Sequence, residues 1–172
     1  MKKRILASFT LVMTFLLGFA FNSFISKITN GKSSTKKVTG IGGIFFKCKD
    51  PKTLKEWYSK NLGLNMDQYG TNFEWRYTDN KEKKGFLLWA PFKETTTYFK
   101  PSEKDFMINY RVNDLVNLLK QLKADGINPV DTVESVSYGK FVHLMDPEGN
   151  KIELWEPNDE EYEKITNGKV TH

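Results

Sequence analysis

The side chains best equipped for chemistry are few, and two of them lie close together in the chain. Glu153 stands between Ile152 and Leu154 in "MDPEGNKIELWEP" (145–157), an apolar stretch that reads as a strand. A carboxylate there must be solvated, paired or put to use. His143 lies in "KFVHLMDP" (140–147), the strand ahead of a tight turn. Strand alternation puts Phe141, His143 and Met145 on one side, and across the hairpin His143 comes within reach of Glu153. A carboxylate beside an imidazole favours the imidazolium and holds one tautomer. The pair can act as a general base or as two ligands of a weak metal site. It can equally be a satisfied polar pair in a cavity, or His143 can be half exposed at the surface. All of these readings stay open at this point.

The remaining inventory excludes other chemistry. The chain holds two histidines, the second being His172, and one cysteine, Cys48. An intramolecular disulfide and a thiolate zinc cluster are therefore ruled out. Cys48 shares a strand face with Ile44 and Phe46 and is expected to be packing. The net charge of +5 is unevenly spread: of 26 Lys and Arg, seven fall in residues 1–37, which carry no Asp or Glu. The rest holds 19 basic groups against all 21 acidic ones, a balance of −2. No basic surface remains to support binding to nucleic acid.

Lys2, Lys3 and Arg4 precede "ILASFTLVMTFLLGFAFNSFI" (5–25). A basic start before a long apolar run is the pattern of a signal peptide or a membrane anchor. "GFA" offers a cut after Ala20, and an uncut anchor would put the remainder outside the cytoplasm. Residues 26–37 are a polar linker. The folded domain spans 38–158, and 159–172 read as a polar C-terminal tail with the acidic run "NDEEYEK" solvated.

The elements that must position Glu153 and His143 come in two similar halves, about 38–94 and 105–158. The first opens with the strand "GIGGIFFKCKD" and continues with a helix over 51–64, with Pro51 at its start and Gly63 as its cap. Strands "TNFEWRYTD" and "KGFLLWAPF" follow. The second opens with "DFMINYRVNDL", then a helix over 115–128, then strands in 130–139, 140–147 and 150–157. "DPEGN" is the last hairpin turn. The closing strands "GFLLWAPF" and "KIELWEPN" match closely, so both halves read as strand–helix–strand–strand–strand. "TTTYFKPSEKDF" (95–106) joins them, either as a lid carrying Tyr98 and Phe99 or as a plain crossover.

The repeat, the ending "DPEGNKIELWEP" and the opening "FFKCKDPKTLKEWY" resemble the vicinal oxygen chelate superfamily. That group includes glyoxalase I, bleomycin-resistance proteins and extradiol dioxygenases. The resemblance implies an α+β fold of two βαβββ modules. Their curved mixed sheets surround a cavity, here preceded by an N-terminal hydrophobic helix. It also implies four metal-ligand positions, which carry over to Gly43, Leu87, Met107 and Glu153. Only Glu153 is a hard-metal ligand, so the standard metal site reads as largely lost and no cofactor is expected. Alternation adds Phe45, Trp89, Met107, Asn109, His143 and Trp155 as cavity residues. Arg111, near a strand end, reads as a surface or ion-pair residue. The expected function is small-molecule binding by an exported or membrane-tethered domain. The alternative is a metal-assisted lyase, isomerase or dioxygenase using Glu153 and His143. Relatives often pair modules across two chains, so a homodimer is also an expectation.

Overall fold

The computed structural model describes residues 38–166 and 169–171. The expected N-terminal helix, the leader or anchor and the linker lie outside the described residues. Among the described residues, no helix is long and apolar enough to cross a membrane.

The described elements run β1 (Val38–Cys48), α1 (Pro51–Leu62), β2 (Thr71–Arg76), β3 (Lys84–Lys93), β4 (Phe106–Val112) and α2 (Leu115–Ala124). They continue with β5 (Glu134–Val136), β6 (Gly139–Met145), β7 (Lys151–Pro157), α3 (Asp159–Thr166) and β8 (Val170–Thr171). Local chemistry sets several boundaries. The Asp50 carboxylate accepts the N–H groups of Lys52 and Thr53 at 3.0 and 3.1 Å, and Gly63 ends α1 in the left-handed region at φ 70°. Asp114 caps α2 through the N–H of Asn117 at 3.0 Å. The Asp146 carboxylate accepts the N–H groups of Glu148 and Asn150, which closes the β6–β7 turn.

The expectation of two modules, each with its own sheet, needs correction. The strands form one curved, open eight-stranded sheet in the order β5-β6-β7-β4-β1-β3-β2-β8. The two halves join where β1 pairs antiparallel with β4. The second half has the expected βαβββ order. The first supplies only βαββ, because residues between α1 and β2 make a turn instead of a strand. There the Asp67 carboxylate accepts the N–H groups of Tyr69 and Gly70 at 2.7 and 2.9 Å. The vacant edge is taken by β8, which pairs in parallel with β2 through Asn72–Val170 and Phe73–Thr171.

Within the expected polar tail, the described residues form α3 and β8. Asp159, Glu160 and Glu161 fall in the first turn of α3, where the helix dipole favours negative charge. Asp159 forms an ion pair with Arg111, which is fully buried and not at the surface. Pairing and the faces of Trp75 and Trp155 make that burial tolerable.

The core has two parts. Leu115, Leu118 and Leu119 of α2 pack with Val112, Val142, Leu144 and Leu154 of the sheet. Phe45, Ala90, Phe99 and Met107 form the second cluster, between the first module and the linking loop. Helix α1 contributes no buried residue; its Tyr58 rests on Trp89, with ring centroids 4.8 Å apart.

Candidate ligand-binding site

One row of residues crosses the middle of the sheet. Asn72 pairs with Leu88, Leu88 with Gly43, Gly43 with Asn109, Asn109 with Glu153, and Glu153 with His143. Residues paired on neighbouring strands share a face, so this row lies on one side of the sheet. Above its centre is a cavity of about 350 Å³. Glu153, Asn109, Gly42 and Leu88 reach it from the sheet. Aromatic walls rise on both sides: Phe45, Phe92 and Tyr98 on one, Phe141, Trp155, Tyr138 and Tyr162 on the other.

Glu153 is 3% exposed and its carboxylate is braced by three donors. Asn109 Nδ2 donates to Oε1 at 2.5 Å; the Tyr98 hydroxyl donates to Oε2 at 2.6 Å. His143 Nε2 lies 2.9 Å from the same Oε2. The far side of the imidazole is held as well. Asp131 accepts the His143 backbone N–H at 2.9 Å, and its other oxygen lies 2.6 Å from Nδ1. Burial alone would push the His143 imidazolium down, but the hydrogen bonds and charges of Glu153 and Asp131 outweigh it and raise the group above its ordinary 6.5. Both ring nitrogens then donate. Burial and the adjacent Glu153 keep the Tyr98 hydroxyl protonated, which suits its donor role. Burial lowers Lys151, whose ammonium donates to the Tyr98 carbonyl at 2.7 Å.

Several expected positions move. Trp89 faces away from the cavity: it packs between Phe46 and Tyr58, each with ring centroids 4.8 Å away. Leu87 shares that parity, and the residue paired with Gly43 is Leu88. Strand β3 is apolar on both faces, so its letters match β7 one residue out of step with its pleat. Met107 is fully buried in the second core cluster, and Asn109 is the β4 residue beside Glu153. Phe45, Asn109 and Trp155 line the cavity, and His143 stands behind Glu153. Trp155 is held on several sides: Arg111 lies 4.7 Å from its ring centroid, Phe141 stacks on it at 5.6 Å, and its Nε1 donates to the Tyr138 carbonyl at 3.2 Å.

The sequence reading missed Gly42, Asp131, Tyr138 and Tyr162 and left Tyr98 undecided. A β-bulge between Ile41 and Gly43 turns Gly42 onto the cavity face. A Cβ there would collide with Asn109 Oδ1 and Trp155, so the run "GIGG" was the one signal of this close approach.

The fold, not the site, is what comparisons with known proteins address. The family model of the Glyoxalase/Bleomycin resistance protein/Dioxygenase superfamily matches residues 40–154. The chain belongs to that superfamily. Among solved structures, a variant of methylmalonyl-CoA epimerase from Streptomyces coelicolor, in complex with 2-nitronate-propionyl-CoA, is similar. It shows 15% identity and a TM-score of 0.52 over 70% of this chain and 99% of that one. Methylmalonyl-CoA epimerase from Mycobacterium tuberculosis shows 19% identity and a TM-score of 0.48 over 74% of this chain and 94% of that one. A superfamily member from Vibrio splendidus 12B01 shows 16% identity and a TM-score of 0.43, covering 67% and 97%. At 15% identity the first of these likenesses is one of fold. Comparison with curated proteins found no match.

The metal that many superfamily members carry does not fit these residues. The positions facing one another across β3, β1, β4 and β7 are Leu88, Gly43, Asn109 and Glu153. They offer one carboxylate and one amide, and the amide nitrogen is already turned toward the carboxylate. A catalytic zinc takes three protein ligands. Among the described residues, no three His, Cys, Asp or Glu side chains gather around such a point.

Proposed function

We propose that this superfamily domain binds a small, mainly apolar organic molecule in the cavity and does so without the usual divalent metal. The observation that carries the reading is the row Leu88, Gly43, Asn109 and Glu153, which keeps a cavity and aromatic walls while offering one carboxylate. A concave, largely apolar site with few placed polar groups is what small-molecule binding requires. The N-terminal apolar run supports placing the domain outside the cytoplasm, exported or tethered to a membrane.

Metal content and titration with Zn, Ni, Mn, Fe and Co test the reading on the purified full chain, with Glu153→Gln alongside. The expected outcome is no stoichiometric metal in either protein. A stoichiometric ion that is lost in Glu153→Gln would overturn it.

One observation favours a second reading, a proton-transfer enzyme. Asp131, His143 and Glu153 form an unbroken hydrogen-bonded chain from the protein's surface to the cavity. A carboxylate–imidazole pair so placed can accept and pass on a proton. Under that reading Glu153→Gln abolishes turnover of a discovered substrate while the fold survives; under the binding reading there is no turnover to lose.

A further inference from the structure

The acidic side chains that line the cavity, Glu134 and Glu153, are acceptors, while the hydroxyls of Tyr69 and Tyr138 can accept or donate. Glu153 ionised can only accept, so the Asn109 amide must present Nδ2 to it. That fixes Asn109 Oδ1 on the opposite side, over Gly42. Oδ1 is buried and has no hydrogen-bond partner among the described residues, although Asn109 is 2% exposed. A buried carbonyl oxygen without a donor is costly, so a donor from outside the protein is the natural partner. Glu153 Oε1 accepts one bond, from Asn109, and keeps a free lone pair beside it. A second carboxylate, Glu134, lies at the mouth.

The cations nearby are turned to other partners. Lys151 donates to the Tyr98 carbonyl, Arg111 to Asp159 and the Phe86 carbonyl, and His143 lies between Asp131 and Glu153. Among the described residues, no lysine, arginine or histidine lines the cavity. An anion would meet two carboxylates and no cationic donor. A cation would meet those carboxylates, a waiting carbonyl and the faces of aromatic rings, which attract positive charge. Phe92 and Tyr98 stack in parallel with centroids 5.6 Å apart and form one such wall.

We propose that the cavity takes a small organic cation, a protonated amine on an apolar, ring-sized body. Its N–H groups reach Asn109 Oδ1 and Glu153 Oε1, and its body lies between the aromatic walls. This rests on the metal-free binding reading and names the ligand class for the same site.

The test compares phenethylammonium, 2-phenylethanol and phenylacetate on the full chain by calorimetry and tryptophan fluorescence. The three share a ring and differ in charge. The expected result is phenethylammonium binding about tenfold or more tighter than the alcohol, with phenylacetate weakest. Glu153→Gln should erase that preference. If Glu153→Gln fails to fold, Glu134→Gln at the exposed mouth should still reduce the preference about threefold, by weakening a screened charge contact. Alcohol or phenylacetate binding as tightly as the amine overturns the cation assignment and leaves the cavity reading standing. Binding of none of the three at millimolar concentration overturns both.

Discussion

Glu153 accepts from an amide, a phenol and an imidazole, and the imidazole is gripped from behind by Asp131. The arrangement ties a residue's charge to the stability of the fold. His143 is raised above its ordinary 6.5, so the folded protein holds this proton where the unfolded chain has begun to release it. The stabilisation is complete below 6.5 and is lost as pH climbs through the raised value. Urea midpoints measured from mildly acidic to mildly alkaline pH should therefore fall across that window. In His143→Gln the fall should flatten; an unchanged slope would show that another group is responsible. Sequence alone revealed that Glu153 and His143 could meet, because each is a polar mark on an otherwise apolar strand. It left Tyr98 undecided between lid and crossover, because its approach depends on how the loop joining the two halves folds back.

At the scale of elements, what was legible followed from local rules. Pro51 opens α1 and Gly63 closes it as their types demand. The pleat of β7 was readable because Glu153 and Trp155 alternate with Ile152 and Leu154. The pleat of β3 was not, since Phe86, Leu87, Leu88 and Trp89 look equally buried and only pairing with β1 decides which face is inward. The tail misled for a related reason. Its acidic residues suggest solvent, yet one of them neutralises Arg111 and Tyr162 donates to Asn72 Oδ1 at 2.8 Å. That pairing yields a prediction about α3. Asp159→Asn leaves a fully buried guanidinium without its counter-charge, which costs about 3 kcal/mol or more. A denaturant midpoint unchanged within about 0.5 kcal/mol would mean that the two tryptophan faces and the Phe86 carbonyl suffice.

For the whole molecule, the superfamily fold was the most legible feature, because internal repetition announces itself in the letters. The repeat nonetheless overstated the symmetry: the two halves share one sheet, and one half lacks a strand. A fragment of residues 38–104 is therefore expected to remain largely unfolded by circular dichroism. Cooperative melting of that fragment would show the first half to be self-sufficient.

The borrowed strand also sets an order of events during synthesis. Thr71 and Thr171 bond through their hydroxyls at 2.7 Å across 100 positions of sequence. As the chain leaves the ribosome, β2 emerges early and its outer edge stays open until residues near 170 arrive. Until then that edge is a strand awaiting a partner, the kind of surface on which nascent chains stick to one another. Repetition of a module does not complete such a domain; its open edge waits for a strand that follows both halves.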